Sequence, residues 1–397
     1  MADFTTDELV SRTQAFQAHL AEQGVDFAIL NQNSDLYYYA GSVQPLYLII
    51  PSQGEPFALA RKAISRIQEE SPHVVLEPFA DTKELMDILT RHGMVSPKRV
   101  GYTLDTTAYA TVTRFQKLLG GPEIYDLSRE IRFLRMVKSE AEISILAEAG
   151  DIISQVPDVI KSAFEPGMSE MELSAALECY FRISGHTAVI RCRREGIEVG
   201  GNGVLSSGLN SLAGTKFDGV CAGAGTSPAT PYGASFAPIP KNMPVIIDYG
   251  LNIRGYHIDQ TRMFCWGEPP SEVTHAYDAM VNIEETLIGM MNPGAVCEEL
   301  YTTALQMAAE AGYADIFMGS GSEQVRFVGH GVGLELDEPP YLAPKMMDRL
   351  QSGMVIAVEP KVSMPEYGIV GPEDTVVVES NGPRLLTRCP VEFIIVE

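Results

Sequence analysis

The sequence predicts a two-domain α/β protein, and three observations support this prediction. A chain of 397 residues corresponds to two or three domains of ordinary size. Its first part alternates helical and strand patterns, which predicts one sheet with covering helices. The pattern changes near LRMVKSEAEI, residues 134–143, after which long helices alternate with glycine-rich and strand-rich segments. We therefore expect domains at residues 1–134 and 135–397.

Composition indicates a folded, strongly acidic protein. Apolar residues make up 45% of the chain and charged residues 20%, which is typical of globular proteins. The 29 Lys and Arg against 52 Asp and Glu leave a formal net charge of −23. Such a charge repels phosphates and anionic membrane surfaces, so neither nucleic acid nor a membrane is an expected partner. The acidic start lacks a secretory core and the six cysteines form no CxxC pair, so we expect a cytoplasmic protein.

The elements of the first domain follow from hydrophobic spacing and turn residues. Apolar residues at helical spacing, each followed by a helix-stopping or polar segment, predict helices at residues 7–23, 83–91 and 106–119. Short apolar runs predict strands at residues 25–30, 46–51 and 57–60, with a polar loop at residues 31–35.

The second domain begins with two well-marked helix starts. Ser139 can cap a helix whose first turn carries Glu140 and Glu142, and Ser169 forms a capping box with Glu172. Two more helices are predicted at residues 271–291 and 296–311, separated by an Asn-Pro-Gly sequence. Residues 200–233 are rich in Gly, Ser, Ala and Thr, and we expect short strands and a loop near a functional site there.

A predicted hairpin contains the first two candidate metal ligands. The segment PVIIDYGLNIRGYHIDQTR, residues 244–262, indicates a strand, a turn at residues 252–255 and a second strand. A hairpin centred between residues 253 and 254 places Asp248 directly opposite Asp259, with Cβ atoms about 5 Å apart. Two carboxylates among Val and Ile side chains repel each other and are costly to bury. A bound cation would remove both costs.

Two further predicted strands and a glycine-flanked histidine supply the other candidate metal ligands. The segments GMVIAVEP, residues 353–360, and GIVGPEDTVVV, residues 368–378, look like adjacent strands that carry Glu359 and Glu373. His330 lies in VGHGVG, where flanking glycines allow close backbone approach and leave the imidazole accessible.

The donor types of these five residues indicate a metal centre. Oxygen-rich ligation with one imidazole suits Mn²⁺, Co²⁺, Fe²⁺ or Zn²⁺. Four carboxylates can bridge two ions about 3.5–4 Å apart, an arrangement that activates water and stabilises an oxyanion. We therefore predict two divalent ions, with the ligands Asp248, Asp259, His330, Glu359 and Glu373.

These residues, in the motifs GHGVGLE, VEP and PEDTVVV, resemble the ligand series of the pita-bread metallopeptidases. That family includes Xaa-Pro aminopeptidase, prolidase and methionine aminopeptidase, with creatinase as a non-peptidase relative. GVDFAIL and NSDLYYYAG, residues 24–30 and 33–41, resemble the family's creatinase-type N-terminal domain, and LRMVKSEAEI resembles its domain junction. The resemblance covers nearly the whole chain. It implies a creatinase-type α/β N-terminal domain and a pita-bread catalytic domain, whose α+β fold is a pseudo-symmetric curved antiparallel sheet with covering helices. It also implies a dinuclear centre, a homodimer and Glu359 as the catalytic proton acceptor.

Three positions differ from the peptidases of this family, which carry histidines there. This chain has Tyr232 after a proline, Arg326 four residues before the histidine ligand, and Asp337 seven residues after it. We interpret all three as substrate-binding residues, and Asp337 would suit a cationic or amidine-like group. His257, on the same predicted face as Asp259, either enters the site or lies behind it or at the surface.

Two classes of function stay open. The first is a metal-dependent hydrolase of a C–N bond, acting on an Xaa-Pro peptide or on a small non-peptide compound. Creatinase, ectoine hydrolase and a dimethylsulfoniopropionate lyase are relatives with non-peptide substrates, and a creatinase-type, metal-independent hydrolase or lyase is an alternative. The second class is a non-catalytic binding protein. Intact ligands argue against it, because unpaired buried carboxylates are hard to explain without a cation.

Overall fold

The computed structural model describes residues 3–193, 202–216 and 218–397. Two compact units are present: the first runs to Arg135 and includes Arg193, and the second begins at Met136. The predicted boundary between two independently folding domains, at residues 134 and 135, stays a prediction. No helix among the described residues is both long and apolar enough to cross a bilayer.

The first unit contains a six-stranded mixed sheet in the order β4-β3-β2-β1-β5-β6. Its central strands are short, apolar and fully buried, as strands covered on both faces are. The bounds of the strands are β1 Phe27–Leu30, β2 Tyr47–Pro51, β3 Phe57–Ala60, β4 Val75–Pro78, β5 Arg99–Tyr102 and β6 Glu123–Asp126.

Helices connect these strands, and two of them supply much of the core. Apolar side chains of α4 and α5 join those of β1, β2 and β3 in one buried cluster. The predicted loop at residues 31–35 is wrong, because Gln32 caps a helix by accepting hydrogen bonds from the backbone N–H groups of Ser34 and Asp35. The bounds are α1 Thr6–Glu22, α2 Asn33–Ala40, α3 Ile64–Glu70, α4 Leu85–Arg91, α5 Tyr109–Leu118 and α6 Ser128–Leu134.

Four helices of the second unit begin where the sequence predicts, whereas no prediction covers the helix Val156–Ala163. The hydroxyls of Ser139 and Ser169 accept from the backbone N–H groups of Glu142 and Glu172, and both capping boxes are complete. The glutamates of each first turn also complement the positive end of the helix dipole. The bounds are α7 Glu140–Ile153, α8 Val156–Ala163, α9 Glu170–Ile183, α10 Ser271–Met290 and α11 Cys297–Glu310.

Two larger sheets and a small one make up the rest of the second unit. One sheet has the order β17-β9-β8-β7, the other β11-β10-β12-β15-β16, and β13 pairs with β14. The bounds are β7 Gly203–Ser207, β8 Pro244–Ile253, β9 Tyr256–Trp266, β10 Gly329–Gly331, β11 Glu338–Tyr341, β12 Val355–Val358, β13 Val362–Met364, β14 Gly368–Val370, β15 Asp374–Glu379, β16 Gly382–Leu385 and β17 Ile394–Val396.

The glycine-rich stretch, predicted to contain short strands and a loop near a site, forms β7 and then a long loop. Gly200, Gly201 and Phe217 of that stretch lie outside the described residues.

Candidate metal centre

Asp248 and Asp259 lie on the two strands of the hairpin but not directly opposite each other. The structure pairs Asp248 with Thr261 and Asp259 with Gly250. The predicted pairing is wrong because the turn is the two residues Arg254–Gly255, with φ angles of 48° and 91° that suit a tight hairpin. Centring the turn one residue later shifts the pairing by two positions. A shift of two keeps both carboxylates on the same face of the sheet.

His330 and Glu359 come from the second large sheet. His330 lies on β10 and pairs with Ala357 of β12, and Glu359 directly follows that strand. The glycines beside His330 are needed for close strand approach. A Cβ on Gly329 would meet the carbonyl oxygen of Ala357 at 2.5 Å, and one on Gly331 would meet that of Pro339 at 2.3 Å.

Glu373 links the two sheets. Its backbone forms an isolated antiparallel bridge with Thr261, with two N–H···O hydrogen bonds of 3.2 Å. The Thr261 hydroxyl also donates to Glu373 Oε2 at 2.7 Å. Because Thr261 pairs with Asp248 in the hairpin, this bridge carries Glu373 to the hairpin carboxylates.

The five predicted ligands form two overlapping groups around Glu373. In one group, ligand atoms of Asp259, His330 and Glu373 all lie within 4.8 Å of one another. In the other, those of Asp248, Glu359 and Glu373 do so. The first group is fully buried, whereas Asp248 in the second is half-buried. Carboxylates with one imidazole are donors that first-row divalent cations accept.

Sequence reasoning missed Lys361, which lies within the second group. Its Nζ is 3.1 Å from Asp248 Oδ2, 2.6 Å from Glu359 Oε2 and 2.9 Å from Glu373 Oε2. The side chain is 1% exposed. One signal was available in the sequence. Lys361 follows Glu359 by two residues and lies between two apolar strands, and a lysine in such a place is rarely buried unless it is paired with an opposite charge.

Burial and mutual repulsion shift the pKa values in the centre. Burial, followed by the charges of Glu373 and Asp248, raises the pKa of Asp259 well above its ordinary value. Burial alone would lower the pKa of Lys361, but the carboxylates around it raise that pKa well above normal. Burial also opposes protonation of His330, yet the charges of Glu359, Asp337 and Glu373 raise its pKa. The carboxylates therefore outweigh the positive charge that the chain itself supplies.

A cavity of about 690 Å³ opens over the centre, and Asp248, Asp259, His330, Glu359 and Glu373 all contribute to its wall. Tyr232 and Asp337 also line it, and both are half-buried. Arg326 is exposed and is not among the described residues that line the cavity. The structure thus brings two of the three predicted substrate-binding residues to the site and leaves the third outside.

His257 lies neither at the surface nor among the described residues that line the cavity. It is fully buried, and its Nε2 accepts from the backbone N–H of Arg191 at 3.0 Å. Burial lowers its pKa to about 4. A neutral, hydrogen-bonded histidine of this kind supports the hairpin and does not face substrate.

Comparison with protein families gives two matches that together cover most of the chain. Residues 144–380 match Metallopeptidase family M24, and residues 12–137 match the Creatinase/Prolidase N-terminal domain. The two matched regions meet in the segment that the sequence identifies as a domain junction.

Full-length relatives share the arrangement. An Xaa-Pro dipeptidase of Pyrococcus horikoshii is 26% identical over 94% of this chain and 95% of its own length. An uncharacterized peptidase of Bacillus subtilis is 27% identical over 94% of this chain and 96% of its own length. Among solved structures, an Xaa-Pro dipeptidase from Bacillus anthracis superposes with a TM-score of 0.82 at 25% identity, covering 99% of this chain and 100% of the other.

Proposed function

This chain belongs to metallopeptidase family M24 and is a metal-dependent hydrolase, and we propose that it cleaves a C–N bond in a small nitrogen-containing compound. The observation that supports this is the convergence of two Asp, two Glu and one His on one cavity wall. A divalent cation bound to such ligands lowers the pKa of water and polarises an attacked carbon–oxygen or carbon–nitrogen bond. Mn²⁺, Co²⁺, Fe²⁺ and Zn²⁺ all suit the donor set.

Glu359 is the residue that we propose as the catalytic proton acceptor. It faces the cavity, its Oε1 lies 3.6 Å from His330 Nε2, and its Oε2 accepts a hydrogen bond from Lys361. A carboxylate whose Oε2 is held by a hydrogen bond can use Oε1 to take a proton from the attacking water and return it to the leaving nitrogen. The hydrogen bond from Lys361 keeps the carboxylate oriented toward the cavity.

The substrate preference rests on the polar groups that face the reacting centre. His330 is the only histidine among the described residues that line the cavity. A peptidase needs an acid to protonate the leaving nitrogen of proline, and an imidazole does so well near neutral pH. Asp337 and Tyr232 instead offer a fixed anion and a hydroxyl. This pair favours a small cationic or amidine-like substrate.

Xaa-Pro dipeptide hydrolysis is the second candidate function. The Pyrococcus horikoshii and Bacillus anthracis relatives are named Xaa-Pro dipeptidases, and both match nearly the whole chain. A homodimer in the cytoplasm, which the sequence analysis predicts, is compatible with either function and stays a prediction.

A kinetic series separates the two candidates. The full-length protein, loaded with Mn²⁺ or Co²⁺, is assayed for kcat/KM on Xaa-Pro dipeptides, cyclic amidines and betaine amides. We expect values below about 10⁴ M⁻¹s⁻¹, the lower end of the usual enzyme range, on the dipeptides and higher values on one of the small compounds. Dipeptide values above that level contradict the proposed substrate class. Activity that survives complete removal of metal with a chelator contradicts the metal-dependent mechanism.

A further inference from the structure

The position of Lys361 does not fit two metal ions. Its ammonium lies at hydrogen-bonding distance, 2.6–3.1 Å, from one oxygen each of Asp248, Glu359 and Glu373. A divalent cation on those oxygens would have to approach them to about 2.0–2.2 Å. Three oxygens that converge on one ammonium cannot also enclose a metal ion. Two cations at that distance from the same oxygens would also repel each other strongly in a buried site.

The fold provides a socket for this lysine. Its backbone carbonyl accepts from the N–H of Met318 at 2.8 Å, which fixes the segment between β12 and β13. Gly371 passes directly over the base of the side chain. A Cβ at that position would meet Lys361 Cγ at 2.9 Å and the carbonyl oxygen of Pro360 at 2.3 Å. The backbone and the base of the Lys361 side chain are therefore held in place independently of the charges around the ammonium.

The other group of ligands remains available. Asp259, His330 and Glu373 are buried and have ligand atoms within 4.8 Å of one another. Glu373 is 1% exposed; its Oε2 accepts from Thr261 and Lys361, but its Oε1 has no hydrogen-bond partner among the described residues. A buried carboxylate oxygen without a partner is costly unless a ligand occupies that side.

The charge balance shows that the centre still requires a cation besides Lys361. Four carboxylates and one ammonium leave a formal charge of −3 in the centre before His330 is counted. One divalent ion reduces that charge to −1, so the ammonium alone does not balance the carboxylates and a single ion nearly does. Buried charges are stable only when they are nearly balanced by partners.

We propose that Lys361 replaces one of the two cations that the ligand series predicts, so that the centre binds one divalent ion on Asp259, His330 and Glu373. The ammonium supplies a permanent positive charge to Asp248 and Glu359, and only the remaining subsite depends on metal supply. This proposal rests on the metal-dependent hydrolysis proposed above, but it concerns how many ions the chain binds and where.

The test is a metal count on the full-length protein. Protein stripped with a chelator is reloaded with excess MnCl₂, freed of unbound metal and analysed for manganese per chain. We expect one Mn²⁺ per wild-type chain and an electron paramagnetic resonance spectrum without coupling between two manganese ions. Two ions per chain, or a coupled spectrum, would overturn the proposal and leave the hydrolase function standing. No bound metal combined with persistent hydrolysis would overturn both.

A matched pair of carboxylate variants tests the location. Asp248→Asn alters the Lys361 subsite, and we expect it to keep one Mn²⁺ per chain. Asp259→Asn alters the metal subsite, and we expect Mn²⁺ affinity to fall more than about 100-fold, since even residues that only support ligands cost 10–100-fold. Equal losses in the two variants contradict the assignment.

Lys361→Ala should open the second subsite and raise the count to two ions, with Lys161→Ala, an exposed lysine of the same unit, as the control. A folded Lys361→Ala that still binds one ion contradicts the replacement. If that variant does not fold, the wild-type spectrum and the Asp248/Asp259 pair decide the question.

Discussion

Two buried ionic clusters, one in each unit, differ in the balance between their negative and positive charges. In the first unit Asp35 is fully buried, and its Oδ1 lies 3.0 Å from Arg135 and 3.2 Å from Arg193, which also pairs with Asp105 at 2.6 Å. Within the described part of the chain, two carboxylates there meet two guanidinium groups. In the second unit four carboxylates lie close together, and the ammonium of Lys361 pairs with three of them. The first cluster is complete within the chain, and the second requires a cation from outside.

The difference shows how a structural ionic cluster can be distinguished from a ligand site. A balanced buried cluster needs no ligand, and removing one of its partners is strongly destabilising because a buried charge is left unpaired. An unbalanced cluster that lines a cavity keeps its carboxylates close together despite their mutual repulsion, and a bound cation relieves that repulsion. The following predictions test whether the two clusters separate in this way.

The largest effect is expected from removing a ligand of the unbalanced cluster. Asp259→Asn or His330→Ala should lower kcat/KM at least about 10³-fold, the scale at which losing a main electrostatic contributor acts. Stability should change little or even rise for Asp259→Asn, because repulsion between neighbouring carboxylates is relieved. Kinetics and urea unfolding measure the two effects. The control is Asp278→Asn, an exposed residue of α10; unchanged turnover in both ligand variants would exclude a metal mechanism here.

The balanced cluster should respond in the reverse manner. Asp35→Asn leaves two buried guanidinium groups without their shared carboxylate, and we expect the free energy of unfolding to fall by about 3–5 kcal/mol. The metal content and the kcat of the folded fraction should stay the same. Glu123→Gln is the matched control, because that carboxylate pairs with Arg99 at the surface and is 58% exposed. Its removal should cost less than about 1 kcal/mol. Equal costs for the two variants would mean that Asp35 is not held by a buried network.

Much of this arrangement follows from sequence, and the parts that do not have physical reasons. Ser139 and Ser169 predict their helix starts because a capping box is a local interaction within four residues. The register of the hairpin depends on whether the turn takes two or four residues. Arg254, which adopts a positive φ although it is not glycine, gives no sequence signal for the shorter turn.

Lys361 shows a different limit of sequence reasoning. Spacing identifies Glu359 and Glu373 as ligands, since both interrupt apolar strands. Whether a nearby lysine enters the cluster or extends to solvent depends on a socket built from distant residues, Met318 and Gly371. Pairing of this kind becomes visible only when the strands are placed in space.

A third prediction concerns pH and uses a buried histidine outside both clusters. Burial lowers the pKa of His186 to about 4, and its Nδ1 must be unprotonated to accept from the N–H of Asn252 at 2.9 Å. Below pH 6.5 the unfolded chain binds a proton at this residue that the folded chain does not. Its contribution to stability is therefore complete above pH 6.5 and is lost as pH falls toward 4, by about 2 kcal/mol between pH 6.5 and 5.

Urea unfolding of wild-type protein and His186→Gln at pH 7 and pH 5 measures this contribution. Glutamine offers a carbonyl oxygen to the same N–H but does not titrate, so the variant should lose less stability on acidification. The carboxylates of the centre raise the pKa of His330 instead, and that residue should not contribute to the same acid loss. Identical pH dependence in the two proteins contradicts the assignment to His186.

The smallest expected effect lies at the edge of the unbalanced cluster, where Asp337 and Tyr232 face the cavity. If Asp337 binds a cationic group of the substrate, Asp337→Asn should raise KM about tenfold, the value of one hydrogen bond to a charged partner, while kcat and manganese content change little. Tyr232→Phe should raise KM less. Asp337→His then shows whether Asp337 binds the substrate or has no role in the reaction, since it introduces the histidine that the family resemblance implies at this position. A loss of activity on the small substrate supports a binding role. A gain on Xaa-Pro dipeptides together with unchanged small-substrate kinetics would mean that the aspartate is only tolerated, and that the cluster as a whole serves a prolidase-type reaction.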